Sequence, residues 1–466
     1  MSQSASSMAF SQLPISKAQL QNLASLHYDA MTPVQAAALP IVLQGKDLIA
    51  QAQTGSGKTA AFGIGLLAKI NVERLETQAL VICPTRELAD QVSQELRRLG
   101  RYLPNLKISA ICGGTPIRQQ IHSMGQHAPH IVVGTPGRLL DHLERRTLDL
   151  SAVKVLVLDE ADRMLDMGFM EDMQEIIRYT PAQRQTLLFS ATFPDDIDRM
   201  SQRIQHHPKR VTIAVTTEEK PDIEEKVIEL TDGRDKMNIT ARLLSQYQPQ
   251  STVVFCNTIA TTIELVEYLI EQNISAIALH GDLDQRERDR VLLQFTNQSR
   301  RVLVATDVAA RGLDIDDLAM VINYDIPFDP EVYIHRIGRT GRAGRSGLAF
   351  MLSLAGKGFR VTEIEKYLER SIPVMSSDDL SSTIEPLVAP MVTIEINEGK
   401  KAKVSAGDIV GALTANQRIA GADIGQITRF TFQSYVAIAK ELASVAVKQI
   451  EARPLKGLRC KARIVK

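Results

Sequence analysis

A glycine-rich segment near the N-terminus carries the sharpest chemical signal in the sequence. The segment AQTGSGKT, residues 52–59, follows the apolar run DLIA and precedes the helical pattern AAFGIGLLAKI. Glycine at two of these positions lets the backbone turn so that successive N–H groups point inward, an arrangement that binds phosphate oxygens. Ala52 stands where the strict phosphate-loop pattern has its first glycine, but the strand–loop–helix context disfavours a chance glycine-rich turn. The residues expected to bind phosphate are Thr54, Gly55, Ser56, Gly57, Lys58 and Thr59.

Two acidic residues at the end of an apolar, strand-like run complement this loop. Lys58 is expected to reach the β- and γ-phosphates, and the hydroxyl of Thr59 to bind Mg²⁺. The run VKVLVLD ends in Asp159, whose carboxylate suits a hard dication, and Glu160 can then orient or deprotonate an attacking water. Two acids at a strand end are often a solvated turn, but both motifs in this order predict a site that hydrolyses a nucleotide with Mg²⁺.

Alternating strands and helices must position these residues. Short Val, Ile and Leu runs, separated by helix-length segments, occupy the first 370 residues or so, which indicates parallel sheets covered on both faces. One series contains ALVIC, ISAIC, HIVVG, VKVLVLD and QTLLFS, and a second contains TVVFC, ISAIAL, RVLVATD and MVINYD. We therefore predict an α/β fold with one domain at 1–214, a polar linker at 215–225 and a second domain at 226–372.

The pattern changes after residues 373–390, a segment with Ser, Asp and Pro that we predict to be a second linker. Beyond it, MVTIEI, GQITRFTF, YVAIA and RCKARIV are typical of strands, while AGDIVGALT and KELASVAVKQIEA are typical of helices. The order β-α-β-β-α-β is the ferredoxin-like arrangement used by RNA-recognition domains. Residues 391–466 are therefore predicted to form a small α+β, RRM-like domain.

Charge is distributed unevenly along the 466 residues, although the formal net charge is zero. Residues 391–466 contain 13 Lys and Arg and 6 Asp and Glu, whereas residues 1–390 contain 41 and 48. A basic domain attached to an acidic body suggests a polyanionic partner, although on charge alone a solvated basic surface is about as good an explanation.

Features of membrane and secreted proteins are missing from the sequence. It contains no apolar run long enough to cross a bilayer, and its Ser-rich N-terminus has neither the basic nor the apolar region of a signal peptide. The four cysteines form no C-x-x-C pair, which argues against a zinc site or a disulfide framework. We expect a cytoplasmic protein with no membrane partner.

The tetrapeptide DEAD at 159–162 is the signature of the DEAD-box ATP-dependent RNA helicases, and roughly the first 370 residues resemble that family. The resemblance implies two RecA-like domains in tandem and ATP as the nucleotide. Residues 10–35 are similar to the family's Q motif, in which Tyr28 would stack on adenine and Gln35 would hydrogen-bond its edge. The family usually has glycine where this chain has His27.

Further motifs of the family follow in the same order and imply roles for more residues. The residues implied to couple hydrolysis to unwinding are Asp162, Ser190 and Thr192. In ATDVAARGLDI and HRIGRTGR, the implied ribose contact is Asp314, the arginine fingers are Arg339 and Arg342, and the link between nucleotide and RNA is His335. The residues implied to bind RNA are Pro84, Thr85, Arg86, Gly114, Thr135, Gly137, Arg138, Arg288, Thr306 and Asp307.

The catalytic residues are divided between the two predicted domains. Lys58 and Glu160 lie in the first, and Arg339 lies in the second. Because phosphoryl transfer requires neutralisation of charge around the γ-phosphate, the complete site exists only when the domains close. We infer that ATP and RNA jointly drive this closure.

The C-terminal segments GKKAKVSAGDIVGALT and GADIGQI resemble the RNA-binding domain of the bacterial DbpA subfamily. That resemblance implies a monomer that acts on RNA, single-stranded or duplex, namely 23S ribosomal RNA and precursors of the large (50S) subunit, and not on DNA. Tyr435 is expected to stack on a base, whereas Gln433 replaces a second aromatic residue. The lysines expected to contact phosphates are Lys400, Lys401 and Lys403.

Two other functions stay open at this point. One is a DNA-directed helicase, since only the resemblance identifies the backbone as RNA. The other is a nucleotide-gated RNA clamp that serves mainly as a scaffold. The presence of Glu160, Arg339 and Arg342 argues against a protein unable to hydrolyse nucleotide, but not against slow turnover.

Overall fold

The computed structural model describes residues 9–52, 55–125, 127–193, 195–213, 222–310, 315, 317–341, 346–354, 356 and 358–465. These residues divide into two compact units, with the boundary between residues 213 and 222. Within the described part of the chain, no helix is both long and apolar enough to span a membrane.

The first unit is built on a parallel sheet, as its runs of Val, Ile and Leu predict. Its described strands are Leu48–Gln51 (β1), Ala79–Ile82 (β2), Ile108–Ile111 (β3), Ile131–Gly134 (β4), Val155–Asp159 (β5), Gln185–Ser190 (β6) and Lys209–Thr212 (β7). They lie in the order β3-β4-β2-β5-β6-β1-β7. This order brings β5, β6 and β1 side by side, with their carboxyl ends at one edge.

Helices cover both faces of this sheet. Those described are Lys17–Ser25 (α1), Pro33–Leu43 (α2), Lys58–Leu67 (α3), Arg86–Leu99 (α4), Ile117–Met124 (α5), Pro136–Glu144 (α6), Ala161–Asp166 (α7), Met170–Arg178 (α8) and Asp195–Ile204 (α9). Val157 of β5 packs into one apolar cluster, while its neighbours Leu156 and Leu158 pack into the other. Since successive strand residues point to opposite faces, the sheet is buried on both sides.

A second parallel sheet begins the other unit. Its described strands are Ile223–Leu230 (β8), Thr252–Cys256 (β9), Ala276–Leu279 (β10), Val302–Thr306 (β11), Met320–Asn323 (β12), Gly347–Leu354 (β13) and Val374–Met375 (β14), in the order β10-β11-β9-β12-β13-β8-β14. The accompanying helices are Lys236–Tyr247 (α10), Ile259–Glu271 (α11), Gln285–Thr296 (α12), Asp307–Ala310 (α13), Pro330–Ile337 (α14) and Gly358–Leu368 (α15). The prediction of two parallel-sheet, RecA-like domains is confirmed.

The C-terminal domain has the predicted β-α-β-β-α-β order. Its strands are Met391–Ile396 (β15), Ile424–Arg429 (β16), Ser434–Ala439 (β17) and Ala462–Ile464 (β18), and its helices are Ala406–Thr414 (α16) and Ala443–Ala452 (α17). The sheet is antiparallel, in the order β16-β17-β15-β18. Ile394, Ile396, Val436 and Ile438 point toward the two helices and form the core of the domain.

The opposite face of this small sheet packs on α12 of the preceding domain. Tyr435 and Val465 contact Leu293, and all three side chains are buried. Thr393 accepts a hydrogen bond from Asn297 Nδ2 at 3.1 Å. An alternating pattern predicts that one face of an antiparallel sheet is exposed to solvent, but here much of that face is covered by another domain.

The segment 373–390, predicted as a linker, is packed along the second domain. Residues 374–375 form β14 at the edge of its sheet, and Leu387 is completely buried. The guanidinium of Arg242 donates hydrogen bonds to the carbonyls of Ser377 and Ser381. The Ser and Pro residues of the segment 373–390 therefore form turns that lie along the surface of the second domain, and the segment is not a free linker.

Candidate nucleotide and RNA site

Three adjacent strands of the first sheet end in the predicted nucleotide motifs. β1 leads into the glycine-rich loop, β5 ends in Asp159, and β6 ends in Ser190. Because the strands are parallel and neighbouring, all three motifs lie at the same edge of the sheet, where α/β proteins bind ligands.

The glycine-rich loop is held by Lys58 at its own end and by Gln35 of α2. Gly57 has a φ of 93°, in the left-handed region that favours glycine, and a β-carbon there would lie 2.5 Å from Gln35 Nε2. Lys58 is buried, and its ammonium donates a hydrogen bond to the carbonyl of Ala52 at 2.9 Å. Thr59 follows on the first turn of α3. Thr54 lies outside the described residues.

Asp159 has the environment of a cation ligand. Its carboxylate is buried, and Oδ1 has no hydrogen-bond partner among the described residues. Burial raises the pKa of this carboxyl to about 7, although the nearby Lys58 ammonium opposes the shift. A dication would satisfy the orphaned oxygen and favour the charged form, so the residues present fit Mg²⁺, which often takes only one or two carboxylates beside phosphates and water.

Glu160 is adjacent in sequence but has different surroundings. It adopts a left-handed backbone conformation with a φ of 53°, which turns the chain from β5 into α7. Its Oε2 accepts a hydrogen bond from Arg163 Nη1 at 2.7 Å, and both side chains are buried. Sequence reasoning missed Arg163, whose signal was its position one helical turn after Glu160.

The last residue of the tetrapeptide joins the strand end of β6. The Oδ2 atom of Asp162 accepts hydrogen bonds from the backbone N–H groups of Ala191 and Thr192 and from the Thr192 hydroxyl, at 2.9–3.1 Å. The backbone N–H of Asp162 donates to Ser190 Oγ at 3.2 Å. The three predicted coupling residues therefore form one hydrogen-bonded group.

The Q-motif residues occupy the start of this domain. The Tyr28 hydroxyl donates to Glu95 at 2.7 Å, and the Phe10 ring meets the Tyr28 ring edge to face at 5.9 Å. Gln35 is buried, accepts from Thr32 N–H and donates to the Gly57 carbonyl at 3.3 Å, so it connects the Q motif to the glycine-rich loop. His27, which replaces a glycine of the family, has a φ of 61°.

Predicted RNA contacts of this domain follow the neighbouring strands β2, β4 and β3. Thr85 caps α4, and the space beside Gly113 is filled by the guanidinium of Arg86, 2.6 Å from where a β-carbon would stand. Arg138 Nη1 donates to the Thr115 carbonyl and to Gln120 Oε1, both at 2.7 Å. Pro84, Gly114 and Thr135 lie in the loops that follow these strands, and Gly137 lies in the first turn of α6.

A buried arginine organises the corresponding edge of the second domain. Arg336 donates to both carboxylate oxygens of Asp307 and to the side chains of Asn257 and Asn323. Sequence reasoning gave Asp307 an RNA contact and did not select Arg336, although its place among apolar residues of α14 is a signal of burial.

The other described residues that were predicted for this domain lie in or just after α14, at the end of β11 and in α12. Arg339 is buried just after α14, His335 lies within α14, and Thr306 ends β11. Arg288 Nη2 donates to the Ala309 carbonyl at 2.6 Å, which attaches α12 to α13. Asp314 and Arg342 lie outside the described residues.

The basic C-terminal domain separates its predicted RNA residues. Lys400, Lys401 and Lys403 are exposed on one turn. Tyr435, by contrast, is only 8% exposed against α12. The ring therefore has little surface left on which a base could stack while this contact persists.

Comparison with known proteins assigns families to these domains. The DEAD/DEAH box helicase family matches residues 32–200, the helicase conserved C-terminal domain matches 235–344, and the DbpA RNA binding domain matches 393–464.

Individual relatives agree with these matches. The chain is 51% identical over 459 residues to the ATP-dependent RNA helicase DbpA of Escherichia coli (strain K12), which covers 98% of this chain and 100% of the relative. It is 44% identical over 376 residues to the DEAD-box ATP-dependent RNA helicase CshA of Bacillus anthracis, covering 81% and 71%. The structure of S. cerevisiae Dbp5 bound to RNA and ADP BeF3 is similar with a TM-score of 0.72 and 32% identity, over 80% of this chain and 96% of that chain.

Sequence, fold and site agree along nearly the whole chain. The tandem parallel sheets carry the motifs at their strand ends, and the third domain matches the RNA-binding domain that distinguishes one branch of these enzymes. The chain therefore belongs to the DEAD-box ATP-dependent RNA helicases, in the DbpA subfamily.

Proposed function

We propose that this helicase acts on 23S ribosomal RNA during assembly of the large ribosomal subunit. The observation that carries the proposal is the third domain, which matches the DbpA RNA binding domain over residues 393–464 and concentrates positive charge. Phosphate contacts in the helicase domains give affinity without sequence information, so specificity requires a separate domain of this kind. On this proposal the protein works as a monomer in the cytoplasm.

In the first domain, the proposed roles follow from the surroundings of each residue. Lys58 and the N–H groups of the glycine-rich loop bind the ATP phosphates. Thr59 and Asp159 would hold Mg²⁺, which supplies neutralising charge at the β- and γ-phosphates. Glu160 orients the attacking water and accepts its proton, and the Asp162 group transmits the state of the site to the loop after β6.

The remaining catalytic groups come from the second domain. Arg339 and Arg342 supply positive charge to the γ-phosphate in the transition state, while His335 connects this chemistry to RNA. Because neither domain holds all of these groups, hydrolysis requires closure, and closure is favoured only when ATP and RNA bind together. RNA-stimulated hydrolysis is the thermodynamic consequence of this coupling.

The experiment that tests the substrate is crosslinking in cells, followed by sequencing of the bound RNA. Enrichment of 23S ribosomal RNA over its abundance is expected, and the same enrichment should be lost when Lys400, Lys401 and Lys403 are changed to Gln. A profile that follows RNA abundance in both proteins would contradict the proposal.

Purified protein provides a second measurement of the same claim. ATP hydrolysis should respond to fragments of 23S ribosomal RNA at lower concentrations than to random RNA of equal length. Matched DNA fragments serve as the control for the backbone, and equal responses to ribosomal and random RNA would remove the assigned specificity.

A further inference from the structure

An exposed turn of the C-terminal domain carries two phenylalanines whose exposure the roles of the two helicase domains do not explain. The turn RFTFQ connects β16 to β17, and its closing bond runs from Phe430 N–H to the Gln433 carbonyl at 2.8 Å. Phe432 is 63% exposed and Phe430 is 40% exposed. Large apolar side chains that remain in water on an ordered turn often mark a binding surface.

The turn is fastened to the lysine segment beside it. The N–H of Lys400 donates to the Phe430 carbonyl at 2.8 Å, and the N–H of Lys401 donates to the Thr431 carbonyl at 2.9 Å. This approach depends on Gly399, where a β-carbon would overlap the Phe430 carbonyl oxygen. Beneath the turn, the Phe430 ring packs edge to face on Tyr435 at 5.7 Å. These contacts hold the turn in place, and the Phe432 ring is exposed on it.

A positive charge outside any ion pair of the described residues lies beside that ring. The Lys401 ammonium lies 5.0 Å from the centroid of the Phe432 ring. In the described part of this domain, the ion pairs join Lys456 to Asp408 and Arg463 to Glu395, and neither includes a lysine of the segment 400–403. An aromatic face beside an ammonium that no ion pair engages suits a ligand that has both a flat ring and a phosphate.

We propose that Phe432 and Lys401 form a stacking site for an unpaired nucleobase of RNA. The sheet face where such domains usually stack bases is occupied, because Tyr435 and Val465 pack on Leu293. Phe432 instead offers an open ring at the edge of the domain, and Lys401 contacts the phosphate next to the stacked base. This inference rests on the proposed function, since it assumes that the C-terminal domain binds structured RNA.

An RNA ligand explains this surface better than a protein ligand does. An apolar protein partner that covered Phe432 would also bury the Lys401 ammonium beside it, and a charged group is desolvated only at a large cost in free energy. A nucleotide leaves the ring stacked and the lysines on phosphates or in water. Stacking is possible only for a base that is not paired, so the site selects loops over duplexes.

The test uses the intact protein and hairpins transcribed from 23S ribosomal RNA, from which the tightest-binding hairpin is retained. Phe432→Leu keeps an apolar side chain but removes the ring, and it should weaken binding to that hairpin by about ten-fold. Phe432→Trp should restore binding to within about two-fold, because the larger ring stacks at least as well. Phe359→Leu is the matched control, since Phe359 is also exposed and has an arginine near its ring.

The salt dependence of binding and base pairing of the hairpin loop separate the contribution of Lys401 from that of Phe432. Lys401→Gln should reduce the slope of log affinity against log salt by about one, whereas Phe432→Leu should leave this slope unchanged. Annealing a complementary oligonucleotide to the hairpin loop should remove the difference between Phe432→Leu and the wild type.

Each contrary outcome has a distinct meaning. If the wild type binds no 23S hairpin more tightly than a scrambled one, both the substrate and the stacking site are wrong. If the wild type is selective and Phe432→Leu binds equally well, the substrate assignment stands and the stacking site is overturned. Loss of association with ribosomal proteins at unchanged RNA affinity would assign the turn to a protein interface instead.

Discussion

At the scale of single residues, Asp159 and Glu160 are adjacent in sequence but have different surroundings, which suit them to different proposed roles. Asp159 has a buried oxygen without a hydrogen-bond partner among the described residues, and burial raises the pKa of its carboxyl, so its charged form would be stabilised by a nearby cation. Glu160 is instead bound to Arg163. The sequence predicts that both acids belong to the site, because two acidic residues directly follow an apolar run. It does not reveal Arg163, because the contact of Arg163 with Glu160 depends on the left-handed turn at Glu160.

Glu160→Gln should block hydrolysis while ATP and RNA still bind. The amide preserves the shape of the side chain but cannot accept a proton, so we expect turnover to fall by about 10²- to 10⁴-fold. Steady-state hydrolysis and equilibrium binding of both ligands measure the two effects, with Glu171→Gln on the exposed side of α8 as control. Wild-type turnover over many cycles would contradict the assigned role.

His142 should make the first domain sensitive to acid. Burial and the nearby Arg138 guanidinium lower its pKa below the ordinary value of 6.5, and its ring contacts Gln120 and Thr147. Because the unfolded chain then binds the proton more tightly than the folded chain, stability is complete above pH 6.5 and decreases as pH falls below it.

Thermal unfolding between pH 7.5 and 5.5 measures this contribution. His142→Gln should reduce the dependence of the melting temperature on pH, whereas His127→Gln, at an exposed histidine, should not. Identical pH dependences for wild type and His142→Gln would show that the ring titrates equally in both states.

At the scale of elements, the order of strands explains why distant motifs meet. β5, β6 and β1 are neighbours, so the loop at 55–59, Asp159 and Ser190 reach one edge although they are far apart in the chain. Apolar runs predict the strands themselves, because a sheet covered on both faces must be continuously apolar. Strand order depends on which crossovers pack together, so it is known from the structure and not from the apolar runs.

Gly57→Ala should abolish ATP binding with little loss of fold. An added β-carbon at a φ of 93° would meet Gln35 Nε2 and distort the glycine-rich loop. Gly411→Ala is the control, because Gly411 lies within α16 and a β-carbon added there would meet no neighbouring atom. Equilibrium binding of ATP is the measurement, and unchanged affinity in Gly57→Ala would show that the loop tolerates another conformation.

The C-terminal sheet marks the limit of prediction at this scale. Its β-α-β-β-α-β order follows from local patterns, and the structure confirms it. Tyr435 was the expected stacking residue because it lies in the segment YVAIA, where RNA-recognition domains place an aromatic residue for stacking, yet Leu293 of another domain covers it. No local pattern contains a contact between residues so far apart in the chain. Phe432 lies in the segment GQITRFTF that was predicted to be a strand, whereas the strand ends at Arg429 and Phe432 is exposed on the turn that follows.

At the scale of the whole molecule, no single domain contains all of the proposed catalytic groups together with the excess of basic residues. The first domain holds the phosphate-binding loop and Glu160, the second holds Arg339, and the third carries the excess of basic residues. On the proposed function, a protein arranged in this way hydrolyses ATP rapidly only when ATP and RNA bind together. The proposed dependence of hydrolysis on RNA is then the property that connects all three domains.

The most direct measurement is the rate of ATP hydrolysis by the intact protein, with and without RNA, for the wild type and for Arg339→Ala. The account predicts that RNA accelerates the wild type strongly and that Arg339→Ala loses about 10³-fold or more of the stimulated rate with little change in ATP affinity. Equal rates with and without RNA, or wild-type turnover in Arg339→Ala, would contradict it.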